Sequence, residues 1–160
     1  KMGRYPFNNN IYENSIEEKK IIDSLLECFD LKEFAARNYL TLSGGEKQRV
    51  QLARVFSQVW NENEFGQKML ILDEPNSFLD IKHQMKLFEI IRDLNGKGLT
   101  IIMVLHDINH ALYHSSKVVM LKKAELKYFG KVSKVINKQN VSDVFNVHPD
   151  SDIYNQSLLL

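Results

Sequence analysis

Three places in the sequence hold residue types that phosphate chemistry needs. "MLILDEP", Met69 to Pro75, ends an apolar run in two adjacent carboxylates, Asp73 and Glu74. "IIMVLHD" ends a second apolar run at His106 and Asp107. "LSGGE", Leu42 to Glu46, sets a serine and two glycines ahead of an amphipathic stretch. Two ionised acids at the exit of a buried strand are costly unless something compensates them. The carboxyl ends of strands in an open α/β sheet are where ligands bind. A metal with a phosphate ligand is the economical compensation: one carboxylate holds Mg2+ through its water shell, and the other orients and activates an attacking water. His106, ending a parallel neighbour, could bond a phosphate oxygen or position that water. Alone, "DEP" is more often a plain strand-to-turn exit and such a histidine more often a structural residue. Asp107 reads best as the cap of a helix over Ile108 to Tyr113.

The "LSGGE" stretch raises a different question. Ser43 and Glu46 stand at capping-box spacing, so the helix starts with Ser43 as N-cap and runs to about Trp60. Gly44 and Gly45 then fall in its first turn, where each costs about 1 kcal/mol relative to alanine. A helix N-terminus offers free N–H groups and a positive dipole end. Bare glycines let an anion reach those amides with no Cβ in the way, and Ser43 adds a hydroxyl. The glycines make sense if the tip receives phosphate.

The elements that must position these residues come in two textures. Residues 1–14 read as a loop. Ser15 and Glu18 form another capping box, followed by Ile21, Ile22, Leu25, Leu26 and Phe29 at helical spacing. A short helix is expected over Leu31 to Ala36. After the polar break "NENEFGQK", short apolar runs alternate with amphipathic segments. "MLIL" and "LTIIMVL" are continuous apolar runs, the mark of parallel strands buried on both faces. Between them Ile81, Met85, Phe88, Ile91 and Leu94 mark the inner face of a helix that Gly96 and Gly98 stop. "KVVML" and "LKYFG" make two more strands joined by a tight turn at Lys122 to Glu125. Short helices follow near Val132 to Ile136 and Val141 to Phe145.

Composition excludes several classes. The chain has 160 residues, 44% hydrophobic and 10% aromatic, enough for about one domain with a real core. Lys and Arg total 21 against 20 acidic residues, a net charge of +1, which argues against nonspecific nucleic-acid binding through a basic surface. Cys28 is the only cysteine, so no intrachain disulfide forms and nothing points to an oxidising compartment. No apolar run approaches the roughly 20 residues that span a bilayer. "KMGRYPFNNN" lacks the apolar core of a signal peptide. A soluble, cytoplasmic chain is expected.

Taken in order, "LSGGEKQRV", "LILDEP", "FLD" and "LHD" resemble the nucleotide-binding domain of ABC transporter ATPases, up to about His148. The resemblance implies an α/β fold of the P-loop NTPase class. A helical subdomain with the signature helix would occupy 1–66. A RecA-like parallel-sheet core with the Walker B strand, D-loop and switch histidine would occupy 67–148, followed by a tail over 149–160. It implies ATP and Mg2+ as cofactors. Ser43, Gly44, Gly45 and Glu46 would form the signature tip that meets the γ-phosphate held by a partner. Asp73 would support Mg2+, Glu74 would be the catalytic base, Asp80 would lie in the dimer contact, and His106 would sense the γ-phosphate. The family works as head-to-tail ATPase dimers that drive transmembrane permease subunits, with a periplasmic or surface substrate-binding protein involved indirectly and no nucleic acid. The expected location is peripheral, on the cytoplasmic side of the inner membrane.

The sequence also departs from the family. No G-x-x-x-x-G-K-[ST] is present, so the P-loop and the Q-loop glutamine would lie upstream of Lys1. Alone, the segment is expected to be inactive and marginally stable. Ala124 replaces the glycine usual in the hairpin after "VVML", which suggests a different turn. "MGRYPF", "LDIKHQ" and "VLHDINHAL" look most like the ATPases of iron-siderophore, haem and vitamin B12 importers. Two other readings stay open: a non-transport ABC-type ATPase of translation or DNA repair, and an inactive truncated remnant.

Overall fold

A computed structural model describes residues 16–60 and 68–148. The expected opening loop, the cap at Ser15, the 66/67 boundary and the tail over 149–160 lie outside those residues. The chain forms two compact units, one up to Val104 and one from Leu105.

In the first unit, helix α1 (Ile16–Cys28) and helix α2 (Gly44–Phe56) enclose an apolar cluster. Ile21 and Leu25 recur one turn apart along α1 and Phe29 continues their line, and all three are buried. Leu52 and Phe56 answer from α2, where the Phe29 and Phe56 rings stack with centroids 5.7 Å apart. The helix expected after Leu31 is a single 3-10 turn, Lys32–Phe34, and a second such turn at Tyr39–Thr41 had no periodicity to announce it. Helix α2 ends at Phe56, short of Trp60. Ser57 caps it, and its hydroxyl donates to the Arg54 carbonyl at 2.7 Å.

Strand β1 (Met69–Asp73), helix α3 (Ile81–Gly96) and strand β2 (Thr100–Val104) form a β-α-β unit in the same compact body. The strands pair in parallel, Met69 opposite Thr100 and Asp73 opposite Val104. Leu70 and Leu72 are buried, whereas Met69 and Ile71 are 55% and 68% exposed. The expectation of burial on both faces is therefore corrected: the described residues cover one face of this pair. A continuous apolar run has no period, so it could not say which face would be covered. The inner face of α3 also needs correcting. Leu87, Phe88, Ile90, Ile91 and Leu94 are buried, but Ile81 and Met85 are exposed. Met85 stands two residues before Leu87, which puts it on the far side of the helix. Gly98, at φ +96°, turns the chain into β2 as the sequence suggested.

The second unit begins with helix α4 (Ile108–His114), capped by Asp107, whose carboxylate accepts the Asn109 N–H at 2.7 Å. Strands β3 (Lys117–Lys122) and β4 (Glu125–Lys131) form an antiparallel hairpin with a register shift after Met120. Helices α5 (Val132–Val135) and α6 (Lys138–Phe145) follow. Met120, Val135, Ile136 and Val141 form the core of this unit, with Ile108, Leu112 and Tyr128 packed around it. Asn137 caps α6 and starts it three residues before the expected Val141, because the first turn is polar.

Candidate functional site

The tip of α2 is built as its sequence requires. Ser43 Oγ accepts the Glu46 N–H at 3.3 Å, and Glu46 Oε2 accepts the Ser43 N–H at 2.6 Å, so both halves of the capping box are present. The Ser43 bonds hold the Glu46 carboxyl below its usual range. Among the described residues the amides of Gly44 and Gly45 meet no acceptor. The two glycines differ. A Cβ on Gly44 would meet nothing within 4 Å, whereas one on Gly45 would lie 2.9 Å from the Phe78 carbonyl oxygen. Gly44 leaves the tip open, and Gly45 admits the neighbouring loop.

That loop leaves β1 at Asp73, whose side chain is exposed, and turns sharply at Glu74, which is half-buried with φ +45°. A non-glycine residue held in the left-handed region stores strain that the surroundings must support. The Glu74 N–H donates to the Val104 carbonyl at 3.1 Å, continuing the ladder with β2. Ser77 closes the turn by donating its N–H to the Glu74 carbonyl and its hydroxyl to Glu74 Oε2, each at 3.1 Å. Pro75 is fully buried. The exposure of Asp73 corrects the premise that both acids are buried, so desolvation is not what demands a metal there.

The loop ends at Asp80, the N-cap of α3, which accepts the His83 N–H at 2.9 Å. Phe78 and Ile81 beside it are 82% and 76% exposed. The tip of α2, the Glu74 turn and Asp80 thus share the first unit. His106 is exposed and lies in the second unit, ahead of α4.

Sequence reasoning missed the residues that join α2 to this loop. Gln48 Nε2 donates to the Pro75 carbonyl at 3.3 Å. Arg49 Nη1 donates to the Phe29 and Asp30 carbonyls, each at 2.9 Å, and lies 3.0 Å from His83 Nε2. His83 Nδ1 lies 2.7 Å from Asp80 Oδ1. The Asp-x-x-His spacing at a helix start was the available signal for His83; Arg49 pairs across the fold and had none.

Residues 4–77 match the ABC transporter family. The hemin import ATP-binding protein HmuV of Hahella chejuensis is 38% identical over 128 residues, covering 80% of this chain and 50% of the relative. The petrobactin import ATP-binding protein FpuC of Bacillus anthracis is 38% identical, covering 84% and 47%. The vitamin B12 import ATP-binding protein BtuD of Vibrio atlanticus is 36% identical, covering 91% and 58%. The chain spans about half the length of such relatives. Among solved structures, the dimeric ATP-binding cassette MJ0796 bound to ADP and Pi aligns with a TM-score of 0.67 at 28% identity, over 82% of this chain and 54% of that one. A metal-chelate type ABC transporter in an inward-facing conformation aligns with a TM-score of 0.71 at 24% identity, over 91% and 55%. With the ABC transporter match over residues 4–77 and the cassette fold of its structural neighbours, the chain resembles part of an ABC transporter ATP-binding cassette and is similar to the ATP-binding proteins of hemin, petrobactin and vitamin B12 import.

Proposed function

We propose that this chain supplies the signature, Walker B, D-loop and switch-histidine portion of an ATP-hydrolysing subunit that powers an importer of haem, iron chelate or cobalamin. The observation that carries the reading is the open tip of α2, where the Gly44 and Gly45 amides lack an acceptor and no side chain stands over Gly44. A phosphate fits there by charge and by space.

Ser43, Gly44 and Gly45, with Glu46 fixing the cap, take the γ-phosphate of an ATP held by a second subunit in a head-to-tail dimer. The exposed Phe78 and Ile81 around Asp80 supply apolar surface suited to such a contact. Among the described residues no group of three His, Cys, Asp or Glu side chains can hold a metal by itself. One carboxylate completed by phosphate oxygens and water would suit Mg2+, and Asp73, at the end of β1, is the residue we assign to hold it. When bound, Mg2+ neutralises charge developing on the transferred phosphoryl group. Glu74, with Oε2 steadied by Ser77, takes the proton of the attacking water. His106, at the position of the family's switch histidine, is the residue we take to sense the γ-phosphate. Among the described residues no helix is long and apolar enough to cross a membrane. The subunit works from the cytoplasmic side against transmembrane permease partners.

Glu74→Gln in the full-length protein tests this. ATP binding should persist while turnover falls about 10²–10⁴-fold, the usual loss on removing a general base. Hydrolysis within a few-fold of the parent would take the role away from Glu74.

A further inference from the structure

We propose that His83 is a positioning residue: it fixes the Asp80 carboxylate and, through Arg49, ties the Asp80 loop to the signature helix. The neighbours of the ring favour one tautomer. Arg49 can only donate, so a bond to His83 Nε2, 3.0 Å from Nη1, shares a hydrogen with the Phe29 and Asp30 carbonyls and takes Nε2 as acceptor. Asp30 Oδ2 lies 3.5 Å from that nitrogen, beyond the usual hydrogen-bond range. A neutral imidazole then carries its proton on Nδ1, the nitrogen 2.7 Å from Asp80 Oδ1. Asp80 Oδ1 thus receives two donors from one residue, the His83 ring and its backbone N–H at 2.9 Å. These bonds hold the Asp80 carboxyl below its usual range. The Asp80 side chain is 66% exposed, whereas that of His83 is only 16% exposed. A sheltered ring therefore sets the direction of an open carboxylate.

The link extends beyond the pair. Arg49 Nη1 also donates to the carbonyls of Phe29 and Asp30, and Lys82 Nζ lies 2.6 Å from Asp30 Oδ2. The end of α1, the middle of α2 and the first turn of α3 are joined in one network. The signature helix bears on the segment from Pro75 to His83 at three points: Gly45 against the Phe78 carbonyl, Gln48 on the Pro75 carbonyl and Arg49 on His83. Glu74 opens that same segment.

The consequence rests on the function proposed above. If the tip of α2 meets the phosphate of one ATP while Glu74 serves another, the Arg49–His83–Asp80 link joins the two sites within one subunit. Arrival of nucleotide at Ser43 would then set the loop that carries the base for the other site. Loss of the link should lower turnover without weakening nucleotide affinity, because none of the three side chains is placed to hold ATP of its own subunit.

Two substitutions divide the ring's bonds. His83→Asn keeps a donor where Nδ1 stands and removes the acceptor for Arg49. His83→Gln keeps an acceptor within reach of Arg49 and removes the donor to Asp80. In the full-length protein each should lower kcat for ATP about tenfold with KM within about twofold. Full turnover in either variant, or a rise in KM that accounts for the loss, overturns the proposal. Should both variants fail to fold, 15N NMR of the wild-type imidazole decides it: Nδ1 protonation with Nε2 bare supports the link, and the opposite tautomer overturns it. Parallel assay of Glu74→Gln separates the two claims. Retained turnover there removes the proposed catalytic role, while the tautomer still reports on the His83 link.

Discussion

The carbonyl oxygen of Phe78 stands 2.9 Å from where a Cβ on Gly45 would lie, closer than real Cβ contacts come. The neighbour is backbone, so it cannot rotate away. Gly44, one residue earlier, faces open space. The first prediction is therefore a contrast. Gly45→Ala should destabilise the full-length protein by about 1–3 kcal/mol, the usual cost of overpacking. Gly44→Ala should leave stability unchanged or raise it by up to about 1 kcal/mol through helix propensity. Urea denaturation of both variants checks this, and equal midpoints would mean the Phe78 contact does not constrain Gly45.

Ser43→Arg tests the tip as a ligand site. The side chain of Ser43 is exposed, so a long side chain can be accommodated without disturbing the core. Loss of the serine cap should cost about 1 kcal/mol. The larger effect is expected on assembly: an arginine over the free Gly44 amide should block the partner's nucleotide. ATP-driven dimerisation, followed by light scattering, should disappear while monomer binding of ATP persists. A variant that still dimerises with ATP would leave this segment as a plain capped helix.

How far these features could be read in the sequence depended on how local their causes are. The cap at Ser43, the cap at Asp107 and the stop at Gly98 each follow from a few neighbouring residues, and each is found where expected. The parallel pairing of β1 and β2 followed from two continuous apolar runs, but such runs carry no period and left the exposed face of Met69 and Ile71 unannounced. The roles of Gly45 and Arg49 could not be read at all. Gly45 meets a carbonyl more than thirty residues away, and Arg49 bonds the carbonyls that follow α1 and a side chain of α3. At the candidate site, residue types were legible from motif spacing, while the contacts that brace them depend on tertiary packing.

The hairpin turn carries a third prediction. Lys123 and Ala124 have φ +53° and +61°, a type I′ arrangement. Ala124 was expected to bring a different turn, but it adopts the one that glycine favours, at the cost of crowding its Cβ. The left-handed conformation costs a non-glycine residue about 1–2 kcal/mol. Relief of that strain is partly offset by the greater freedom of glycine in the unfolded chain. Ala124→Gly should therefore stabilise the protein by about 0.5–1 kcal/mol. A thermal melt that fails to rise, or falls, would show that the turn tolerates alanine without strain.

The last prediction concerns Asp143, which fastens α6 to the hairpin. Lys122 Nζ donates to the Asp143 carbonyl and lies 3.1 Å from Oδ1, and the Tyr128 hydroxyl donates to Oδ2 at 3.0 Å. The Lys122 bond, then the Tyr128 bond, holds the Asp143 carboxyl below its ordinary 3.8. A lowered carboxyl pKa gives stability that is present above the unfolded value and lost as pH falls through the folded one. The same contact acts oppositely on Tyr128, whose hydroxyl is raised above 10.0 by its bond to Asp143. That contribution is present below the unfolded value and lost as pH rises through the raised one. Asp143→Asn keeps an oxygen acceptor and removes the charge. The melting temperature of the variant should lie below that of the parent by a constant margin near neutrality. The margin should close as pH falls below 3.8, where the parent's carboxyl takes up its proton. It should narrow again above 10.0, as Tyr128 ionises against the parent's carboxylate. Because the Asp143 side chain is 46% exposed, added salt should shrink the neutral margin as well. A margin that stays constant from acid to alkali would mean that the charge of Asp143 does not fasten this helix.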